Sequence, residues 1–420
     1  MSTISERKDA HLALAAKPEM QYADPGGFDD VLFLHNPLPE LNLKDIDCST
    51  TFLNKKLSAP LLITGMTGGT EKGGALNKKL ALAAEKAGIA LGLGSQRPML
   101  KDEKTLAHYK VRALCPSIPL IGNIGAVNLR EYPLVKIEWL VSSIEADALA
   151  IHLNPLQEAV QPEGDTDFTG VFASIGKVVE KLSVPVIVKE TGAGLNASAA
   201  KSLLDAGVKY IECSGRGGTS WSKVEYARGG RVPGFEEWGY PTIPSLAECV
   251  TVAPTLCTGG VRSGLDAAKG LALGATLAGA AHPFFVSSDP AKLAMQWREQ
   301  IRTAMFLTGS KDLEQFSRAP VLITGRSAEL MRLRGLDPAF FAASGALNTP
   351  TSGNERSHYL SLVYLWVLLK LAFPNGRCTM RRNSALPAPA RCWAKFWPSI
   401  RNARKMSKAR WRLLKRSAQE

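Results

Sequence analysis

Several groups of side chains in this sequence could act together on an anionic ligand. Arg7, Lys8 and His11 form an R-K-x-x-H cluster near the amino terminus, and Arg97 sits in SQR. A ligand carrying several phosphate charges needs converging cations of this kind, although a charge run also reads as a solvated helix face. The run HLNPLQE at 152–158 gathers His152, Asn154, Gln157 and Glu158. Mg2+ takes oxygen ligands, one or two carboxylates with retained water and substrate phosphates, and Glu158 suits that part. His152 could serve the site or be a buried histidine bonded to backbone. In TGGVRSG, Gly259 and Gly260, with Gly279, Ala280 and Ala281 further on, would let backbone N–H groups approach a phosphate. A tight turn is the plainer reading of a glycine pair taken alone.

These residues need a scaffold, and the chain from about Pro60 supplies one. Short apolar β-branched runs ending in Gly or a polar residue alternate with Ala/Leu/Lys segments of helical spacing. The pattern predicts eight strands: 61–64, 89–94, 120–124, 148–153, 186–189, 210–213, 256–258 and 276–280. Polar, Gly-rich sequence follows seven of them, which reads as an α/β fold, a (β/α)8 TIM barrel whose active site lies at the strands' carboxyl ends. Leu76–Ala87 has one apolar face and is closed by Gly88. The first sixty residues are expected to cover the barrel or its mouth. Residues 222–245 form a long insertion between the sixth and seventh strands, the usual setting of a lid or binding loop.

In this frame the glycines precede the eighth strand, where barrels bind phosphate, and Lys189 ends the fifth strand. With MTGG after the first strand, they point to flavin mononucleotide across the barrel mouth. A Lys near the flavin N1–C2=O edge stabilises the anionic reduced ring. A Schiff base or a pair with Glu190 is the alternative for Lys189.

The net charge of +13 is concentrated at one end of the chain: Gly353–Glu420 carries 15 Lys and Arg against 2 Asp and Glu. The rest is neutral, so the charge is no nucleic-acid signal for the barrel. The sequence divides into residues 1–346, the flavin-binding barrel, and 347–420, a basic tail without the βα rhythm. The tail's composition suggests a disordered or frame-shifted extension, with a membrane-surface or RNA-binding tail as the functional alternative. Seven scattered cysteines with no C-x-x-C pair fit reduced thiols in the cytoplasm. No apolar run approaches the roughly 20 residues of a membrane span.

The segments MTGGT at 66, LGLGSQR at 91, GNIGAVNL at 122, HLNPLQEAVQPEGD at 152, VKETGAG at 188, GRGGTSW at 215, EEWGYPT at 236 and TGGVRSGLDAAKGLALGA at 258 together resemble the type 2 isopentenyl diphosphate isomerase family. The resemblance runs from about Arg7 to Phe341. It implies an FMN enzyme that interconverts isopentenyl and dimethylallyl diphosphate, using reduced flavin and Mg2+ without net redox change. By the same resemblance Met66 lies against the flavin ring. Thr67, Ser95, Asn123, Lys189 and Thr219 contact FMN, and the backbone of Gly259, Gly260, Ala280 and Ala281 holds its phosphate. Arg7, Lys8, His11 and Arg97 fall on the substrate diphosphate, and Glu158 on Mg2+. Gln157 sits over the reacting carbons, His152 and Asn154 shape the pocket, and Glu225 is a second acid near the substrate. The family implies NADPH as flavin reductant and a homo-oligomer, tetrameric or larger. Thr166 stands where the family has a basic residue, and residues 347–420 have no family counterpart. The main rival is another FMN barrel, a 2-hydroxyacid oxidase, which needs a His-Gly-Gly base after the sixth strand. Ser214–Gly218 reads Ser-Gly-Arg-Gly-Gly instead.

Overall fold

The structure, a computed structural model, describes residues 4–342 except Thr67 and Arg231. The expected basic tail, 347–420, lies outside the described residues. Eight parallel strands close into a barrel: β1 (Leu61–Ile63), β2 (Ala90–Gly92), β3 (Leu120–Gly125), β4 (Ala148–Leu153), β5 (Val186–Glu190), β6 (Tyr210–Glu212), β7 (Thr255–Cys257) and β8 (Leu277–Ala280). They follow one another around the ring, and β8 returns to β1 through Ala278 opposite Leu61 and Ala280 opposite Ile63.

Strand alternation sorts the side chains into two layers. Leu62, Ala90, Ile121, Ala148, Ala150, Ile187, Leu256 and Leu277 pack together in the barrel interior, joined by Phe52 and Leu57. Those two belong to a hairpin, Thr50–Phe52 with Lys55–Leu57, which closes the barrel's amino end. The opposite faces of the strands pack with the helices in a larger core.

The amino-terminal residues serve both ends of the barrel. The hairpin plugs one, while helix α1 (Ile4–Ala15) reaches the carboxyl end, where Arg7, Lys8, His11, Leu12 and Ala15 border a cavity. Between them Val31–Phe33 pairs antiparallel with Val321–Ile323, tying the two ends of the described chain together.

Helix α2 (Glu71–Ala87) begins five residues before the predicted start at Leu76. Thr70 caps it, accepting from the Gly73 N–H at 3.1 Å. Gly73 and Gly74, poor helix formers, sit close against Gly68 and His108, where a Cβ would be tight. Gly88 ends α2 in the left-handed conformation, as predicted. The long insertion is no free flap. Ser220 and Ser222 hydroxyls donate to the Glu236 and Phe235 carbonyls at 2.7 Å each, and the Tyr22 hydroxyl donates to the Trp238 carbonyl at 3.0 Å.

Candidate active site

A cavity of about 590 Å³ opens at the carboxyl ends of the strands, within the usual range for small-ligand sites. Its walls bring together residues from across the chain. Arg7, Lys8 and His11 come from α1, and Arg97 from the start of the short helix Arg97–Lys101 after β2. His152, Asn154, Gln157 and Glu158 follow β4, and Lys189 ends β5. Met66, Ser95, Asn123, Thr219, Gly259, Gly260, Ala280 and Ala281 complete the predicted set that lines it. Thr67 lies outside the described residues. Glu225 is the exception: it is fully buried and stands one layer behind the wall, on the helix α3 (Trp221–Ala227).

The histidine and asparagine positions fix each other. Asn123 Nδ2 donates to the Leu93 carbonyl at 3.0 Å, so its Oδ1 faces His152 Nδ1 at 2.7 Å as acceptor. His152 therefore carries its proton on Nδ1 and presents an Nε2 lone pair. Burial, helped by the charge of Lys189, pushes His152 down to about 3. It is a neutral acceptor throughout the working pH range.

Glu225 is the hub of a second network. Its Oε1 accepts from Gln157 Nε2 at 2.7 Å and lies 2.9 Å from His11 Nε2, while Oε2 pairs with Arg228. Arg228 also reaches Glu163 at 2.8 Å. Burial pushes the Glu225 carboxyl up, but the bond from His11 and the other donors outweigh it and hold the group below the usual carboxylate range. Glu225, expected as a second acid near the substrate, thus stands behind the cavity wall as a carboxylate held low by its partners and set against Gln157 and His11.

Glu158 is held differently. Its oxygens accept from Asn154 Nδ2 at 2.8 Å, Gln161 Nε2 at 2.7 Å and the Asp165 N–H at 2.8 Å. Burial still raises its pKa above the usual range. Lys189 Nζ donates to the Glu190 backbone carbonyl at 2.6 Å and not to its carboxylate. The Glu190 carboxylate instead takes the N–H groups of Thr191, Gly192 and Ala193, which explains the KETGAG turn.

At the cationic end, Arg7 Nε and Arg97 Nε are buried without a partner. Burial, and then the neighbouring Arg7 and Arg97, lower Lys8 to about 8. Lys8 is charged below that pH and neutral above it. Affinity for inorganic pyrophosphate should accordingly weaken as pH rises past about 8, by at most about tenfold per unit. A Kd measured from pH 7 to 9.5 checks this, with Lys8→Arg expected to flatten the curve.

Comparison with known proteins bears on what such a cavity holds. The FMN-dependent dehydrogenase family matches residues 136–323. An isopentenyl-diphosphate delta-isomerase of Methanothrix thermoacetophila is 42% identical over 360 residues, covering 82% of this chain and 99% of the relative. The protein of that name from Methanothermobacter thermautotrophicus is 43% identical over 350 residues, covering 81% and 99%. The chain belongs to the type 2 isopentenyl-diphosphate delta-isomerase family. Among solved structures, a mandelate oxidase mutant with benzaldehyde overlays with a TM-score of 0.55 at 18% identity, covering 76% of this chain and 94% of that one. That likeness shows a shared barrel and nothing finer.

The family's cofactor fits the cavity. Among the described residues the N–H groups of Gly259, Gly260 and Val261 make no hydrogen bond, leaving donors for a phosphate. A Cβ on Gly259, where φ is +95°, would overlap the Gly215 carbonyl, and one on Gly260 would press on Pro25 O and Gly217. Gly259→Ala should therefore destabilise the fold by about 1–3 kcal/mol and weaken FMN binding, read from melting curves with and without FMN. The residues at 154–158 also fit the Mg2+ that the resemblance implies. Asn154 Oδ1 is a buried oxygen without a partner next to the Glu158 carboxylate. Among the described residues no three His, Cys, Asp or Glu converge to cage a metal. A cation here would draw its remaining ligands from water and a diphosphate, the preference of Mg2+.

Sequence reading passed over several wall residues, among them Glu212, Ser214, Thr258 and Gln161. Glu212 and Ser214 could have been found, since strand alternation puts them on the same face.

Proposed function

We infer that this protein interconverts isopentenyl diphosphate and dimethylallyl diphosphate, in isoprenoid biosynthesis, with FMN in its reduced form and Mg2+. The observation that carries this reading is the meeting of one cavity's two ends: a cationic end at Arg7, Lys8 and Arg97, and a glycine cradle at Gly259 and Gly260. The first suits a diphosphate and the second a flavin phosphate.

Moving the double bond adds a proton at one carbon and removes one from another, through positive charge at a tertiary centre. Reduced FMN, when bound, supplies an electron-rich face beneath that charge and a nitrogen that exchanges protons. The chain's own residues bind and orient. Arg7, Lys8, His11 and Arg97 anchor the diphosphate, and Glu158 with Asn154 would hold Mg2+ against it. Gln157, its amide nitrogen held by Glu225, borders the cavity where the reacting end would lie. His152 accepts a hydrogen bond and donates none through Nε2. With Glu225 ionised and His152 neutral, neither supplies an acid at neutral pH, which agrees with proton exchange at the flavin.

The family resemblance supports NADPH as reductant and a homo-oligomer of four or more subunits. The unpaired cysteines support a cytoplasmic location. No helix among the described residues is long and apolar enough to cross a membrane. The test is anaerobic: FMN-loaded protein with Mg2+, assayed for dimethylallyl diphosphate before and after reduction. Activity should appear on reduction alone; equal rates with oxidised flavin, or none in either state, would sink the reading.

A further inference from the structure

One buried carboxylate in the cavity wall has no part in the reaction above. Glu212 ends β6, is 4% exposed, and borders the cavity beside Lys189, Ser214 and Thr258. Its Oε1 accepts from Thr258 Oγ1 at 3.0 Å and from Ser214 Oγ at 3.3 Å, and lies 3.6 Å from Lys189 Nζ. Lys189 Nζ in turn donates to Ser214 Oγ at 3.4 Å. Among the described residues Lys189 is the one cation within ion-pair distance of Glu212. The two hydroxyls, 3.0 Å apart, close a ring of donors and acceptors around a single Glu–Lys pair.

The backbone is bent to build this ring. Ser214 is held at φ +41°, a left-handed conformation that non-glycine residues avoid. Such outliers persist where the surroundings over-determine them, and they gather at functional sites. A buried ion pair contributes little to stability compared with apolar packing of the same volume. Its placement on the cavity wall argues for a purpose beyond holding β5 to β6, which already share ladder hydrogen bonds from Ile187–Tyr210 to Lys189–Glu212.

We propose that Glu212 is a positioning residue that sets how much positive charge Lys189 presents to the flavin. It fixes the ammonium through the Ser214 and Thr258 hydroxyls and offsets part of its charge. This rests on the reading that FMN lies at this end of the cavity. Hydride transfer from a nicotinamide delivers two electrons and one proton to the flavin, leaving an anion; a further proton from solvent at N1 gives the neutral reduced form. An unopposed Lys189 would favour the anion. A Lys189 offset by Glu212 lets the proton follow, so the reduced ring retains a full complement of exchangeable protons.

The experiment measures the flavin and not turnover. FMN-loaded wild type, Glu212→Gln, Lys189→Met and the double variant are equilibrated anaerobically with dithionite and a reference dye, and the reduced form is titrated with pH by absorbance. Glu212→Gln should raise the midpoint potential by an amount equal to about tenfold tighter binding of reduced over oxidised flavin, about 30 mV for a two-electron couple. It should also lower the N1 proton affinity about tenfold. Lys189→Met should shift both quantities the other way, and the double variant should fall between the two. A purely structural role would move both single variants in the same direction. That outcome, or an unchanged potential in Glu212→Gln, overturns the proposal. If Glu212→Gln does not fold, Glu212→Asp, with its carboxylate drawn back by one methylene, should show a smaller shift of the same sign. Failure of the wild type to bind FMN overturns the site reading and this inference together, whereas FMN bound with unchanged potentials overturns the inference alone.

Discussion

Glu225→Gln is expected to reduce kcat by about a hundredfold, within the range for a lost proton-handling or orienting group, with a much smaller change in KM. The carboxylate touches no ligand; its effect passes through Gln157 Nε2 at 2.7 Å and His11 Nε2 at 2.9 Å. A glutamine in its place can still accept one hydrogen bond, but it brings an NH2 group into a pocket filled with donors. Arg228, 9% exposed at its side chain, loses one of its two anions and keeps Glu163. The loss should cost less than the roughly 3–5 kcal/mol of a fully broken buried pair, and the variant should still melt at lower temperature. The pH dependence separates this from a general packing defect. Glu225 is held below its ordinary pKa of 4.5 in the folded protein. Its ionisation therefore stabilises the fold at pH above 4.5, and that contribution is lost as pH falls through the depressed value. The gap in melting temperature between wild type and Glu225→Gln should be wide at pH 7 and begin to narrow only as pH falls below 4.5 toward the depressed value. A gap independent of pH would mean that shape, not charge, is what Glu225 provides.

The same network shows what a linear reading of the chain can reach. The barrel strands lie within two residues of the apolar runs that predict them, because each is a short apolar burst closed by glycine or a polar residue. The wall residues were legible where they cluster along the chain, as in NPLQE, or where glycine marks a close approach, as at Gly259. The roles that escaped depend on partners far apart in sequence. Nothing near Glu225 indicates that His11 will come within ion-pair distance of it or that Gln157 will donate to it, since 214 and 68 residues separate them. Charge state was equally hidden. The residue types of His152 and Glu225 say nothing of burial and neighbours, and the fold moves both pKa values downward. Glu190 is a plainer case: next to Lys189 it reads as an ion-pair partner, yet the turn after β5 folds its own N–H groups onto the carboxylate. Local backbone geometry wins there because three N–H groups within three residues are closer at hand than a side chain pointing into the cavity.

Adjacent residues on one loop provide the sharpest test of the division of labour. Glu158→Gln should raise the Mg2+ concentration needed for half-maximal rate by about a hundredfold, since a hard cation needs the carboxylate's charge. Gln157→Ala should lower the rate at saturating Mg2+ by about a hundredfold and leave the Mg2+ dependence where it was. The geometry supports the split. Gln157 turns its amide toward Glu225, while Glu158 turns back under Asn154, Gln161 and the Asp165 N–H. Their side chains thus leave the helix Pro155–Val160 in different directions. Their side chains share Asn154 Nδ2, 2.8 Å from Glu158 Oε1 and 3.4 Å from Gln157 Oε1. The longer of these is too weak to carry the effect of one substitution to the other. Rate against Mg2+ for both variants decides the matter, and curves that shift alike would mean that the two residues serve one function.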